Sequence, residues 1–270
     1  MKLFTLKILS IFFSLLLISC ENVDVVETRL EFKEKIVVSA ELPGGSIFTG
    51  VTFTKTLPVD EEYHISKAEI KNAVSYLKID GVKVIPLHYE KDGLYKPRYN
   101  LLIERGKTFE LFGNVNGKSV YSKTIIPQEP SVNNTIRESD HIQASVLPKL
   151  GEAYGVLWLI NSPSTNFQID ASRSFQTITA ASEDSAPGSI LVRTSVIPGS
   201  YLSPPYTNYT YVEVCAFDMA YMKYHNSRNN QQVEDNTYLQ GGESAAWNVY
   251  GEDVIGLFIG KTKGSKIKVN

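Results

Sequence analysis

Cysteine is scarce in this chain of 270 residues, which contains only Cys20 and Cys215. An excess of one charge is also lacking, because 27 Lys and Arg stand against 29 Asp and Glu, and the formal net charge is −2. Such a balance gives no indication of the clustered basic face that nucleic-acid binding requires. Beyond residue 20, no apolar run approaches the roughly 20 residues of a membrane-spanning helix. We therefore expect no nucleic-acid partner and no transmembrane anchor in the main part of the chain.

Motifs of catalysis and metal binding are missing as well. The four histidines are scattered, without cysteines or carboxylates at metal-ligand spacing: His64, His88, His141 and His225. The run from Gly113 to Ser119 has three residues between its glycines, where a phosphate-binding loop has four, and its flanks have strand character. We therefore expect no metal, no cofactor and a non-enzymatic protein. The alternative is a hydrolase whose carboxylates meet only in the fold.

The amino-terminal segment has the composition of a secretory signal peptide. Lys2 and Lys7 precede an apolar run at 8–18, which is too short to span a bilayer. The stretch Leu17-Ile18-Ser19-Cys20 resembles the lipobox of bacterial lipoproteins. This resemblance implies that residues 1–19 are removed and that Cys20 carries lipid, which would hold the protein at a membrane. An ordinary signal peptide with an incidental cysteine is the alternative.

The first half of the mature chain has the pattern of an antiparallel β-sandwich. Residues 20–33 are predicted to form a short acidic tether. From residue 34, apolar and polar side chains alternate, as in strands with one buried face. Short turn sequences separate the runs at Asp80-Gly81, Asp92-Gly93 and Asn116-Gly117. About seven strands within residues 34–127 predict an immunoglobulin-like sandwich.

The second half is also expected to be rich in strands. Residues 128–140 are polar and contain Pro130, which predicts a linker. Residues 141–270 carry further alternating runs and one helix, from Met219 to about Asn229, with Asp218 as its cap. The predicted fold class is therefore mainly β, with a second β-rich domain that contains one short helix.

Tyrosine is abundant, and four of the 15 tyrosines crowd around Pro204-Pro205. These four are Tyr201, Tyr206, Tyr209 and Tyr211. A rigid aromatic cluster beside prolines can stack on a sugar or anchor a partner protein, because aromatic side chains supply much of an interface's energy. Tyrosine is also a common strand residue, so a purely structural role is the alternative. We take the four tyrosines as candidate binding residues.

Several short motifs, in their order along the chain, resemble one bacterial family. They are Asn72-Ala73-Val74, the run from Gly106 to Leu111, Thr124-Ile125-Ile126-Pro127, Tyr221-Met222-Lys223-Tyr224 with Ser227, and the end from Asn248 to Phe258. The family comprises Bacteroidota outer-membrane lipoproteins with a domain of unknown function, often encoded beside TonB-dependent receptors. The resemblance covers nearly all of the mature chain. It brings no catalytic residue, and Cys20 is the one functional position that it transfers.

The resemblance implies a non-enzymatic accessory subunit of a TonB-dependent receptor, anchored in the outer membrane and acting by ligand binding or docking. A stand-alone glycan- or peptide-binding surface lipoprotein is the alternative. Glu21, Asp24 and Glu27 follow the cysteine, and acidic residues there accompany cell-surface display in the resembled bacteria. Asp184-Ser185-Ala186 matches a short O-glycosylation pattern of such bacteria. A receptor-contacting face is expected to be an aromatic-rich patch with a polar rim.

Overall fold

The computed structural model describes residues 32–180, 188–233 and 245–269. Cys20, with the signal peptide and most of the tether, lies outside the described residues, and so does Asp184-Ser185-Ala186. Strands dominate the described chain, so the predicted mainly β class is confirmed. Residues Glu34–Asn270 form one compact unit, and a division into two domains is not observed.

Seven strands occupy residues 34–127, the number that the sequence predicts. They are β1 (Ile36–Pro43), β2 (Val51–Lys55), β3 (Val74–Ile79), β4 (Lys83–Lys91), β5 (Leu94–Lys96), β6 (Thr108–Val115) and β7 (Lys118–Ile125). A single helical turn, α1 (Ile65–Ala68), lies between β2 and β3. The strands pair in the order β1-β2-β5-β4-β3-β6-β7. Because β4 pairs with both β5 and β3, the strands on its two sides enclose a common core in a sandwich-like arrangement.

The rest of the chain adds nine strands and a longer helix within the described residues. They are β8 (Ser131–Arg137), β9 (Ile142–Leu147), β10 (Glu152–Asn161), β11 (Gln168–Ala171), β12 (Thr179–Ala180), β13 (Ile190–Arg193), β14 (Thr210–Asp218), β15 (Val249–Tyr250), β16 (Val254–Lys268) and α2 (Met219–Val233). Strands β13, β9 and β8 form a separate small sheet. Residues 128–140 therefore contain β8 where the sequence predicts a linker. This strand is mostly exposed, so its polar composition resembles that of a loop.

The hairpin turns follow the sequence prediction closely. Asp80 and Gly81 have φ of +49° and +70°, and Asn116 and Gly117 have φ of +52° and +87°. Positive φ at both central residues is the signature of the type I′ turn that matches strand twist. The second of these turns pairs Val115 directly with Lys118, which fixes the register of β6 against β7.

Gly81 provides a direct test of this turn geometry. A Cβ atom at Gly81 would meet nothing within 4 Å, so any cost of a side chain there comes from the backbone. We expect Gly81→Val to lower the free energy of unfolding by roughly 1–2 kcal/mol, because a β-branched residue resists positive φ. Gly199→Val is the matched control, since Gly199 has equal open space and no positive φ. Equal losses in chemical denaturation would contradict the turn assignment.

Three hydrophobic clusters lie within the described residues, and the two larger ones belong to the two halves of the chain. The first is built by β1 to β7 and contains Phe53, Leu77 and Phe109. It also contains Val249 and Phe258, which come from the carboxy-terminal end of the chain. A second core gathers β9, β10, β13 and β14. The first half is thus completed by residues that follow it by more than a hundred positions.

Strand β16 belongs to both halves. Its first part pairs in parallel with β1, from Ile36 with Val254 to Pro43 with Lys261. Its second part pairs antiparallel with β14, from Phe217 with Lys261 to Tyr211 with Lys268. Parallel pairing of the first and last strands has no local sequence signal. It explains why residues 34–270 form one unit.

Polar side chains satisfy the backbone where the two halves meet. Thr124 Oγ1 donates to Asp218 Oδ2 at 2.9 Å and accepts from the Gly260 amide at 2.8 Å. Asn248 bonds both backbone groups of Phe258, with Nδ2 to the carbonyl at 2.8 Å and Oδ1 from the amide at 2.9 Å. Buried backbone groups need such partners. The Thr124 bonds join the two halves, and the Asn248 bonds hold β16 to the segment before it.

Helix α2 begins where the sequence predicts and extends beyond Asn229, to Val233. Asp218 Oδ1 accepts from the Ala220 amide at 2.8 Å, which is the predicted cap. Tyr221 stacks on Phe217 of β14, with ring centroids 4.4 Å apart. The ring centroids of Tyr224 and Trp247 are 5.2 Å apart. The helix therefore contacts two aromatic residues that lie far apart in the sequence, Phe217 and Trp247.

Candidate functional site

The predicted tyrosine cluster is packed against the second core instead of standing free. Tyr201 lies on Trp158, with centroids 6.3 Å apart, and Tyr206 meets Tyr201 edge to face at 5.4 Å. Both rings pack against the second core. Tyr209 ends a short 3₁₀ turn and Tyr211 lies in β14, and both are half-buried. This arrangement favours the structural role that tyrosine can also play.

The tyrosine cluster makes a stability prediction that separates the two roles. We expect Tyr206→Ala to lower the free energy of unfolding by about 2–4 kcal/mol, since it removes a ring from a packed cluster. Tyr209→Ala is the control, because Tyr209 is not among the residues packed against that core. A melting temperature unchanged by Tyr206→Ala would return this loop to the list of binding candidates.

A different aromatic set lies on the solvent-facing side of the first half. Directly paired residues on neighbouring strands point to the same face of a sheet. The pairs Pro86 with Tyr76, Tyr76 with Phe112, Phe112 with Tyr121, and Tyr121 with Tyr250 follow one another across β4, β3, β6, β7 and β15. We call Pro86, Tyr76, Phe112, Tyr121 and Tyr250 the aromatic row. With strands about 4.8 Å apart, the row runs for roughly 19 Å.

Three rings of the aromatic row contact one another across neighbouring strands. Tyr76 and Phe112 are stacked, with centroids 5.0 Å apart and planes at 12°. Phe112 and Tyr121 are 5.1 Å apart and tilted by 56°. One face of Tyr76 thus lies against one face of Phe112. Tyr250, at the end of the row, is 62% exposed.

Polar and charged residues border the aromatic row on both sides, together with the exposed Val74 and Val84. On one side, Lys78 pairs with Glu110, and Glu110 pairs with Lys123. On the other side, Asn114 pairs with Ser119. An apolar centre with a polar border is the general anatomy of a protein interface. The sheet face therefore carries an aromatic patch with a polar border, at a place other than the 201–211 loop.

Hydrogen bonding within the row sets its chemistry. The Tyr121 hydroxyl donates to Glu110 Oε1 at 2.9 Å. Partial burial raises the pKa of Tyr121 above its ordinary value, and the nearby Glu110 carboxylate acts in the same direction. The phenol therefore stays protonated at neutral pH and serves as a donor. This suits recognition, whereas a nucleophile or base would need a lowered pKa.

Part of the aromatic row could be derived from sequence alone. The Asn116-Gly117 turn places Phe112 opposite Tyr121, because the register of a hairpin is fixed by its turn. Both residues fall at the outward positions of the alternation. Tyr250 could not be placed this way, since it reaches β7 from the far end of the chain. The tyrosines at 201–211 are the more conspicuous pattern in the sequence, but their density does not show which side chains face solvent.

The ionisable cluster around His141 is a second polar feature. His141 Nδ1 lies 2.7 Å from Asp140 Oδ1, and Nε2 lies 2.8 Å from Glu138 Oε2. The hydrogen bond with His141 holds the pKa of Asp140 below its usual range. Both ring nitrogens thus lie near carboxylates, but only Nδ1 has hydrogen-bond geometry toward its carboxylate. No group of three or more His, Cys, Asp or Glu is arranged for a metal ion within 32–180, 188–233 and 245–269.

In the part of the chain that the structure describes, no helix has the length and apolar character needed to cross a membrane. A comparison of the chain with protein-family models and with curated proteins found no match to either.

Proposed function

We propose that the protein is a lipid-anchored accessory protein of the outer membrane that docks onto its partner through the aromatic row. The observation that carries this proposal is the row itself, which crosses five adjacent strands on the solvent-facing side of the sheet. The opposite side of the same strands already supplies the first core. A sheet with one buried face gains little from a 62% exposed Tyr250, whereas aromatic anchors with a polar border are typical of interfaces.

Ring orientation favours a protein partner over the glycan alternative. Stacking on a sugar requires an aromatic face that is open to solvent. Tyr76 and Phe112 turn one face to each other, at 12° between planes, so that stack removes one face of each ring from solvent. Tyrosine rings that are also packed on a neighbour suit contact with a protein surface, where the hydroxyl can find a hydrogen-bond partner.

The lipobox resemblance and the family resemblance supply the other two parts of the proposal. Cys20 would carry the lipid, and a TonB-dependent receptor would be the partner. The charges bordering the row alternate as Lys78, Glu110 and Lys123. Such alternation gives orientation and selectivity to a contact more than affinity. No catalytic step is part of this function.

Single exposed tyrosines test the docking surface. We expect Tyr250→Ser to weaken co-purification with an outer-membrane receptor at least tenfold, which is a moderate loss for an interface anchor. Tyr63→Ser is the matched control, because Tyr63 is 64% exposed and lies outside the row. Both variants should keep the wild-type melting temperature. Receptor recovery that is equal for the two variants would remove the row as the docking surface.

Anchoring is tested independently at the cysteine. We expect mass spectrometry of the mature amino-terminal peptide to find cleavage after Ser19 and lipid on Cys20. Cys20→Ala should release the protein from the membrane fraction or stall its processing, because a stable anchor depends on several acyl chains. An unmodified Cys20, or a cut at another bond, would overturn the anchoring part of the proposal.

A further inference from the structure

A cleft of about 350 Å³ opens between the start of the fold, the segment after α1 and the turn joining β6 to β7. Three lysines from three different segments line it, Lys55, Lys71 and Lys118, together with the carboxamides of Asn72 and Asn116. The carboxamides bond each other, with Asn72 Nδ2 donating to Asn116 Oδ1 at 2.7 Å. The volume lies within the usual range for a small-molecule site.

Two of these lysines form ion pairs with carboxylates that are less exposed than the lysines themselves. Lys71 Nζ lies 2.9 Å from Glu69 Oε1, and the lysine side chain is 64% exposed while that of Glu69 is 7% exposed. Lys118 Nζ lies 2.8 Å from Asp253 Oδ2, with side-chain exposures of 38% and 12%. In both pairs the lysine is the more exposed partner, and Glu69 also lines the cleft. One such pair uses one of the three N–H donors that an ammonium carries.

The shielded carboxylate of Glu69 is fixed by further bonds. The Tyr89 hydroxyl donates to Glu69 Oε2 at 2.5 Å. This bond, with that from Lys71, holds the pKa of Glu69 below its ordinary value, and Glu69 in turn raises the pKa of Lys71. Asp253 raises the pKa of Lys118 in the same way. Lys71 and Lys118 therefore remain charged at any physiological pH.

Because the lysine is the more exposed partner in the Lys71 and Lys118 pairs, the accessible charge that these two pairs contribute is positive. Glu34, which pairs with Lys55 at 2.8 Å, is the one lining carboxylate with substantial exposure, at 56%. An exposed ion pair of this kind contributes little and exchanges easily. Ile36 and Ile70 are buried lining residues that add an apolar surface. A ligand meets amine and amide donors around an apolar base.

We propose that this cleft binds a small organic anion that carries two or more carboxylate or phosphate groups. Ammonium donors from three segments can contact separate anionic groups, and charge-assisted hydrogen bonds of this type are the strong ones. A cation would meet the lysines first. A neutral ligand would gain nothing from three ammonium groups held in position. The site is independent of the aromatic row and of any receptor.

Calorimetric titration of the purified full-length protein with citrate and with pyrophosphate tests the proposal. We expect saturable binding of at least one of them, with affinity that falls as salt is raised; the preferred probe tells carboxylate from phosphate. Asn116→Asp should weaken this binding about tenfold or more, because it adds a negative charge at the cleft. Aspartate also tolerates the positive φ of this turn position, which is +52°. Asn133→Asp, the same change on exposed β8, is the control and should bind as the wild type does.

Lys55→Gln provides a second variant that leaves no buried carboxylate unpaired, since Glu34 is exposed. It should also weaken the binding, at an unchanged melting temperature. Absence of saturable binding for both probes would overturn the proposal. Equal affinities for Asn116→Asp and Asn133→Asp would overturn it as well.

Discussion

Residues 34–127 expressed alone will lack the cooperative unfolding of the full chain. The sequence predicts an immunoglobulin-like sandwich within this segment, but its core also contains Val249 and Phe258 from outside it. Loss of a buried phenylalanine alone costs about 3–5 kcal/mol, which is a large share of the 5–15 kcal/mol that stabilises a typical domain. Strand β1 would also lose its partner β16 and expose an unpaired edge.

Peptide complementation makes this expectation specific. A synthetic peptide of residues 245–269 added to the 34–127 segment should increase β-sheet circular dichroism and restore a thermal transition. The same peptide with Phe258→Ala is the control and should restore much less. If the isolated segment shows the same thermal transition as the full chain, then β16 is dispensable to the segment. The predicted domain boundary at residue 127 would then stand.

Gly256→Ala should be among the most destabilising single changes in the protein. A Cβ atom at Gly256 would lie 1.9 Å from the carbonyl oxygen of Val38, and φ there is +144°. The obstacle is backbone, so no side-chain rotation relieves it. Strained backbone costs about 1–3 kcal/mol by itself, and displacement of β16 from β1 adds to it. We expect a total loss of roughly 3 kcal/mol or more.

Gly117→Ala isolates the two contributions to this loss. Gly117 also has positive φ, +87°, but a Cβ there would meet nothing within 4 Å. Its replacement should cost only the backbone term of about 1 kcal/mol. Urea denaturation of both variants measures the difference. Equal losses would mean that β16 does not approach β1 as closely as the structure has it.

Local features of this fold could be predicted from sequence, whereas its long-range pairings could not. The turns at Asp80-Gly81 and Asn116-Gly117 and the cap at Asp218 depend on neighbouring residues, and all three are confirmed. The pairing of β1 with β16 joins residues more than 200 positions apart. Nothing in the alternation of either strand specifies that partner. The exposed strand β8 was missed because its polar residues match a loop composition.

The candidate site shows the same division. Phe112 and Tyr121 could be paired from the turn between them, while Tyr250 joins the aromatic row only through the return of the chain end. Residues that are close in sequence, such as Tyr201 and Tyr206, attracted the prediction because of their density. Their rings serve a core. The density of tyrosines along the sequence does not tell which face of a strand or turn each side chain occupies. That face decides whether the side chain packs in a core or is available for binding.

Site-specific photo-crosslinking in native outer membranes tests the central claim most directly. A photoreactive amino acid at position 250, in the aromatic row, should form a covalent adduct with a TonB-dependent receptor. The same amino acid at position 63, where exposure is equal, should form none. An adduct from both positions, or from position 63 alone, would contradict docking through the aromatic row.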